Sequence, residues 1–557
     1  MWSKSSTKPS LETYMGPRRL LKVTACSTED AGGGESSSED GLHQQLSLRL
    51  VEVDVDMLDS PYITLSHCWG SSEPGRHPSG LTLRTETLDE FSHRGISNAA
   101  LDHPHARTFK DAARVVLDLG FTYLWIDALC IIQNDPLDRK REVAKMDTIY
   151  RRGLFNIAAT GGFDGRDGLF LDDNSAFMYQ PAEFPRRSLG GRDRFGISGP
   201  EEHFVAFLDR ELKGVGIQDP LNSRGWVLQE CLLSARVLSF CKADVYWYCN
   251  TQKTSTTSSD DFFKEVRCYD AHCVRMPRLP QNWVRLEANL SNQTQARGWQ
   301  TSIGEQISAW QEVLRLYGPT RVSYNGDRLV ALSALARNFY RVTNNPTISY
   351  VAGLWSCWRN RCRQLTWRSD VNVDSDVRRH QVFPELPSWS PLRHRGKFAF
   401  DDDASDEDPT WRIEVVAIET DWQGVGGGIF GAIKGGKLTL QGALLGRVSG
   451  EPPVDVLWTK DGHRTEAYRY SEHDSRYVMI FRGPTSLQAP QGWPMRGLIL
   501  EKTHQRPGQY VRVGHVSVDE GELLQAKYWY GGSGGISKPV EDDYLQFAYG
   551  TYIIELV

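Results

Sequence analysis

YITLSHCWG at 62–70 and FTYLWIDALCIIQND at 121–135 decide how this chain folds. The first places Tyr62, Ile63 and Leu65 in a β-rich run, broken by Gly70 and the SSEPGRHPSG segment behind it. The second opens with FTYLWI, a continuous apolar run of the length of a buried strand. Between them, Phe109, Ala112, Ala113, Val116 and Leu119 recur at helical spacing, and Gly120 is placed to end that helix. Asn134-Asp135-Pro136 marks a turn into a second helix. Val143, Met146, Ile149 and Tyr150 have helical spacing there, while Asp138, Arg139, Lys140 and Arg141 are expected to face water. LFNIAAT at 154–160 is strand-like again. Strand, helix, strand, helix, strand is the βαβ signature of an α/β fold, a largely parallel sheet flanked by helices.

Upstream, LSLRLVEVDV alternates apolar and polar residues as a half-buried strand does, and residues 28–46 are Gly/Ser/acid-rich, as in a flexible linker. Downstream, SRGWVLQECLLSARVLSF reads as a short helix running into a strand at Arg236–Phe240, with DVYWYC as the next strand. Two amphipathic helices are expected around Ile307–Leu316 and Leu329–Phe339. Beyond the acidic run at 401–408, LTLQGALL, YVMIF, GLILEK, YVRVGHVSV and TYIIELV are short strands between Gly and Pro turns. GVGGGIFG at 424–431 has no following helix signal and reads as a turn rather than a phosphate cradle. The expected division is an N-terminal tail with linker at 1–47, an α/β domain at 48–255, a mixed, partly helical region at 256–400 and a β-rich domain at 401–557.

At 557 residues the chain is too long for one small module, and 40% hydrophobic with 24% charged residues is an ordinary globular composition. A formal net charge of -6 gives no global attraction for a polyanion, so nucleic acid is not an expected partner. The 10 Cys are scattered without a scaffold spacing and read as reduced thiols. MWSKSSTKPSLETYMGPRRLL lacks the apolar core of a secretory signal, and no run approaches the roughly 18 apolar residues of a membrane span. A soluble, cytoplasmic protein is expected. The 17 Trp beside 8 Met are the compositional oddity.

In open α/β sheets, ligand sites lie outside the carboxyl ends of the strands. Ser66, His67 and Cys68 end the first strand and Asp127 ends the FTYLWI run. A shared crevice would gather them with Trp69, Cys130, Gln133, Arg224, Trp226, Gln229 and Glu230. Adjacent strand residues point to opposite faces, so Ser66 and His67 make a poor nucleophile–base pair, and no G-x-S-x-G elbow is present. Cys68 and Cys130 read first as small buried hydrophobes, and Trp69 and Trp125 as core. Asp127, an acid inside an apolar run, is either a structural partner, with Arg224 the candidate cation, or a ligand contact. Glu230 beside Trp226 is either an acid–base group with a raised pKa or a solvated carboxylate. Cys241, Cys249, Cys268, His272 and Cys273 contain no C-x-x-C pair and match no common zinc spacing, so no metal is expected.

Together, YITLSHCWG, YLWIDALCIIQND with Asp138, Arg139, Glu142, Met146, Ile149 and Tyr150, and RGWVLQECLLSARVLSF resemble the three blocks of the fungal heterokaryon-incompatibility (HET) domain, in the family's order. GDRLVALSALA at 326–336, YVAGLW at 350–355 and LPSWS at 386–390 look like segments that follow this domain in large fungal proteins. Gly153 and Tyr248 depart from the family's more usual Ala or Cys and acidic residue. The resemblance implies a cytoplasmic effector of nonself recognition and programmed cell death, acting through protein partners and self-association. The family has also been likened to Toll/interleukin-receptor-like domains, some of which cleave NAD with a Glu on a helix after a Trp. Trp226-Val-Leu-Gln-Glu230 is similar to that arrangement and makes Glu230 the implied catalytic carboxylate, orienting the ribose hydroxyls and stabilising an oxocarbenium-like transition state. NAD would then be a substrate, and no bound cofactor is implied. Two readings stay open: signalling or assembly without catalysis, and NAD glycohydrolysis.

Overall fold

The computed structural model describes residues 14–26, 45–70, 81–171, 182–185, 203–206, 219–242, 245–249, 253–255, 303–346, 348–357, 363–369, 382–400, 413–422, 430–448, 457–460, 476–482, 495–518, 539, 541–548 and 551–557. The expectations for most of the 28–46 linker, for SSEPGRHPSG, for Cys268, His272 and Cys273, for the acidic run at 401–408 and for most of GVGGGIFG lie outside these residues. The chain divides into two units, Met1–Arg278 and Leu279–Val557. The second unit holds the expected mixed region from residue 279 onward together with the expected β-rich region.

In the first unit β1 (Arg19–Cys26) and β2 (Gln45–Glu52) pair antiparallel over their full length. β3 (Tyr62–Ser66) is followed by α1 (Leu88–His93), α2 (Asn98–Leu101) and α3 (Arg107–Asp118). Next come β4 (Tyr123–Ile126), α4 (Asp127–Cys130), α5 (Pro136–Val143), α6 (Met146–Arg152) and β5 (Asn156–Ala158). β6 (Ala182–Pro185) and β7 (His203–Ala206) form a separate ribbon. α7 (Gly225–Leu233) leads into β8 (Arg236–Phe240), β9 (Val245–Cys249) and β10 (Lys253–Ser255). The sheet order is β10-β9-β8-β5-β3-β4-β1-β2. β4, β3, β5 and β8 are mutually parallel, with antiparallel strands on both sides.

The step from β3 to β4 runs one way across the sheet, and the steps to β5 and β8 run the other. Right-handed crossovers in opposite directions put their helices on opposite faces, which makes the sheet doubly wound with its switch point between β3 and β5. Register divides the side chains accordingly. Ile63, Leu65, Leu124, Ile126 and Ile157 share one face, joined by Leu21, Leu48 and Leu50, and α1 and α3 pack on these strands. Tyr62, Thr64, Ser66, Trp125 and Asn156 share the other, beneath α6 and α7.

Three local expectations are corrected. Arg19–Cys26 lies inside the stretch expected to be tail, yet it is an internal strand between β4 and β2. Asp138, expected to face water, is buried, because the Arg19 guanidinium reaches it while Ile132 N donates to the same carboxylate oxygen at 2.9 Å. Leu119 caps α3 and is 52% exposed, whereas Phe109, Ala112, Ala113 and Val116 are buried as their spacing requires. Gly120 follows with φ +79°, a conformation that ends the helix at little cost only for glycine. Gly153, the family departure, has a packing reason: a Cβ there would lie 3.2 Å from the Thr64 methyl.

The second unit opens with α8 (Ile303–Tyr317) and α9 (Asp327–Thr343), followed by the hairpin β11 (Ile348–Val351) and β12 (Leu354–Cys357). β13 (Arg368–Ser369) pairs with β14 (Phe398–Ala399). Then come β15 (Ile413–Trp422), β16 (Ile433–Val448), β17 (Leu457–Lys460), β18 (Arg476–Arg482), β19 (Met495–Lys502), β20 (Gln509–Val518), β21 (Gln546–Ala548) and β22 (Thr551–Leu556). They form one mainly antiparallel sheet in which β20 and β22 run parallel. Trp310, Trp355, Trp367 and Trp389 are fully buried here, as Trp125 is in the first unit, so much of the Trp excess is core. Arg512 stacks on Trp367, 3.6 Å from the ring centroid, while donating to the Leu365 and Trp367 carbonyls.

Candidate functional site

β3 ends at the switch point, and the polar residues of the three sequence blocks collect around its last residues. Ser66, 1% exposed, donates to Glu230 Oε2 at 2.5 Å and accepts from Asn156 Nδ2 at 2.9 Å. Asn156 Oδ1 in turn accepts from Thr64 Oγ1 at 2.9 Å. The Tyr150 hydroxyl, on α6, hydrogen-bonds the Glu230 carboxyl and lies edge-on to Trp125 at 5.5 Å. Glu230 sits mid-way along α7 and is 6% exposed. Burial, reinforced by the Asp127 charge, pushes its carboxyl up to about 7, against the pull of Ser66, Arg224 and Tyr150. The same burial raises the Tyr150 hydroxyl well above its usual range.

His67 points to the opposite side, as strand alternation requires, and packs edge-on against Phe109 of α3 at 4.9 Å. Burial lowers its imidazole to about 4, so at neutral pH the ring is uncharged, and its 3.7 Å approach to Asp127 Oδ1 is a polar contact rather than an ion pair. Asp127 opens α4, accepts from Ala128 N at 2.7 Å and from Trp69 Nε1 at 3.1 Å, and keeps 26% of its side chain exposed. Arg224 does not form the expected pair with Asp127; its guanidinium donates to the His67 carbonyl oxygen. Asp127 and Arg224 therefore brace two sides of the same strand end.

The remaining sequence candidates divide. Gln133 Nε2 donates to the Asp127 and Ile131 carbonyls, each at 2.9 Å, and holds the turn after α4. Cys130 is fully buried and its carbonyl accepts from Arg19 Nε at 2.8 Å; burial raises its thiol to about 12. Cys68 is buried with Val227 and Cys231 of α7, and its thiol rises to about 11. Neither thiol ionises near neutrality, which fits the small-hydrophobe reading. Trp226 is half-buried one helical turn before Glu230, and Gln229 is 1% exposed with its Oε1 unpaired. Sequence reasoning missed Tyr150 as a polar partner and missed Asn156 altogether. Asn156 carried the same signal as Asp127, a polar side chain inside an apolar run.

Among the described residues, no group of three or more His, Cys, Asp and Glu is placed to hold a metal ion, and no helix is long and apolar enough to cross a membrane. No curated protein and no solved structure matches the chain. Residues 62–230 match the family described as heterokaryon incompatibility protein (HET). That stretch opens on the first residue of β3 and closes on Glu230, so it encloses both ends of the Ser66–Glu230 contact. The chain thus carries a heterokaryon-incompatibility (HET) domain at residues 62–230.

Proposed function

We propose that this domain is the effector of a nonself-recognition protein, halting growth or killing the cell through signalling or assembly with protein partners in the cytoplasm of its fungal host. One observation carries the preference for signalling: Glu230 is 6% exposed and spends its carboxyl on Ser66 and Tyr150 inside the fold. A carboxylate that must orient a ribose needs open access to it. In the signalling reading, the block residues shape the strand end that a partner, or a second copy, meets.

The second reading, NAD glycohydrolysis with Glu230 as the catalytic carboxylate, is favoured by the position of that acid. It lies at a topological switch point, with its carboxyl raised to about 7 and with the part-exposed Asp127 beside it. Asp127, Trp69 and Arg224 would then form the mouth of the crevice. Inducible expression of the full chain in a fungal host, followed by growth and cellular NAD, separates the two readings. Signalling predicts arrest with NAD unchanged; glycohydrolysis predicts NAD loss preceding arrest, with both abolished in a folded Glu230→Gln variant. Normal growth of the wild type at full expression overturns the effector reading itself.

A further inference from the structure

We propose that α7 is a proton-operated latch, docked on the sheet while Glu230 is neutral and loosened when Glu230 ionises. α7 presents Glu230 to a sheet face that is polar at Thr64, Ser66 and Asn156, so its docking rests on hydrogen bonds as well as apolar contacts. Val227 and Cys231, its neighbours on α7, are buried in an apolar cluster with Tyr246, and Glu230 itself is buried, so its carboxyl gives up most of its hydration in the docked position.

The charges facing Glu230 come from every side. Asp127, at the start of α4, is the acid whose field opposes ionisation, and Arg224, at the N-terminal end of α7, is the cation that favours it. Tyr150 on α6 and Ser66 on β3 contribute hydrogen bonds that also favour the ionised form. Cys68 and Cys231, the neighbouring thiols, stay protonated because burial raises both, and His67 is neutral on the far side of β3. Desolvation and Asp127 prevail, which places the carboxyl near 7. A state in which α7 lifts and Glu230 meets water restores an ordinary carboxylate, so each unit of pH between about 4.5 and 7 favours the lifted state by up to about tenfold, and the gain levels off above 7.

Nothing in this latch requires catalysis or cell death, so it stands or falls apart from the proposed function. The test is hydrogen–deuterium exchange of the purified full-length protein between pH 6 and pH 8, corrected for intrinsic exchange rates. Peptides covering Gly225–Leu233 should lose roughly tenfold protection over that range while those of α3 keep theirs. Glu230→Gln should flatten the α7 profile. Asp127→Asn, at a part-exposed position, should move the midpoint to lower pH. A flat wild-type profile overturns the latch, as does an unchanged pH dependence in Glu230→Gln. Should Glu230→Gln fail to fold, an unmoved midpoint in Asp127→Asn overturns it equally.

Discussion

The two faces of β3 are one strand built in two ways. Ile63 and Leu65 on one face are fully buried in a layer of Leu and Ile beneath α1 and α3. Tyr62, Thr64 and Ser66 on the other are equally buried, yet their hydroxyls reach Ile149 O, Asn156 and Glu230. A strand buried on both faces normally reads as a continuous apolar run. The polar alternation costs desolvation on every residue of one face, and hydrogen bonds must repay it. One face therefore holds the sheet together by area, while the other depends on a chain of donors and acceptors whose last member is an acid. Changes on the apolar face should alter stability at every pH, and changes on the polar face should alter how stability depends on pH.

The largest effect should come from removing residues 1–47. The apolar face continues through Leu21 and Val23, and Arg19 is the partner of buried Asp138. Losing one member of a buried ion pair alone costs about 3–5 kcal/mol, and the cut also bares the edge of β4. A chain beginning at residue 48 should be largely insoluble, as measured by soluble yield and circular dichroism. A soluble product with native helix content would show that the hairpin is dispensable to the apolar face.

That truncation is also where the sequence was least legible. The parallel strands and α3 follow from apolar spacing, because packing against a sheet enforces period and length together. RLLKVTAC carries only a weak alternation and stands before a long Gly/Ser/acid-rich stretch, so its membership in the sheet depends on a partner about a hundred residues away, β4, where Leu21 pairs with Leu124. Asp138 then looked solvated because the cation that buries it sits in the unrecognised strand. Glu230 and Asp127 were legible as acids in apolar company, but the partner of each was not. Pairing across the switch point is set by topology, which a linear reading does not supply.

Within the HET domain, Leu65→Ala should cost about 2–5 kcal/mol at every pH, since the side chain is fully buried on the apolar face. Denaturant titrations at pH 5.5 and pH 8, following the transition of the first unit, should show the same loss at both. Glu230 should itself contribute a loss of about 3 kcal/mol as pH rises from 4.5 through 7, the interval between its ordinary value and its buried one, opposed by His67, whose lowered value adds stability as pH rises from about 4 to 6.5. The sign follows from the raised value: the unfolded chain ionises first, so the folded state binds the extra proton and its advantage disappears as that proton leaves. Set against wild type, Glu230→Gln should gain about 3 kcal/mol in relative stability across this range, because the difference between the two isolates the Glu230 contribution. A wild type that gains stability relative to Glu230→Gln over it would mean that the polar face is built around an ionised acid.

The smallest effects discriminate most finely. Ser66→Ala and Tyr150→Phe each remove a hydroxyl whose hydrogen bond favours ionised Glu230, and each should cost about 1 kcal/mol where the carboxylate is charged. Both should raise the Glu230 midpoint, whereas Asp127→Asn should lower it, because a hydrogen-bond donor and a like charge act on the carboxylate with opposite sign. Isotope-edited infrared spectroscopy of the carboxyl stretch reads the direction without reference to global stability. If all three variants move the midpoint the same way, the shift comes from loosened packing around α7, and the polar face would differ from the apolar one only in composition.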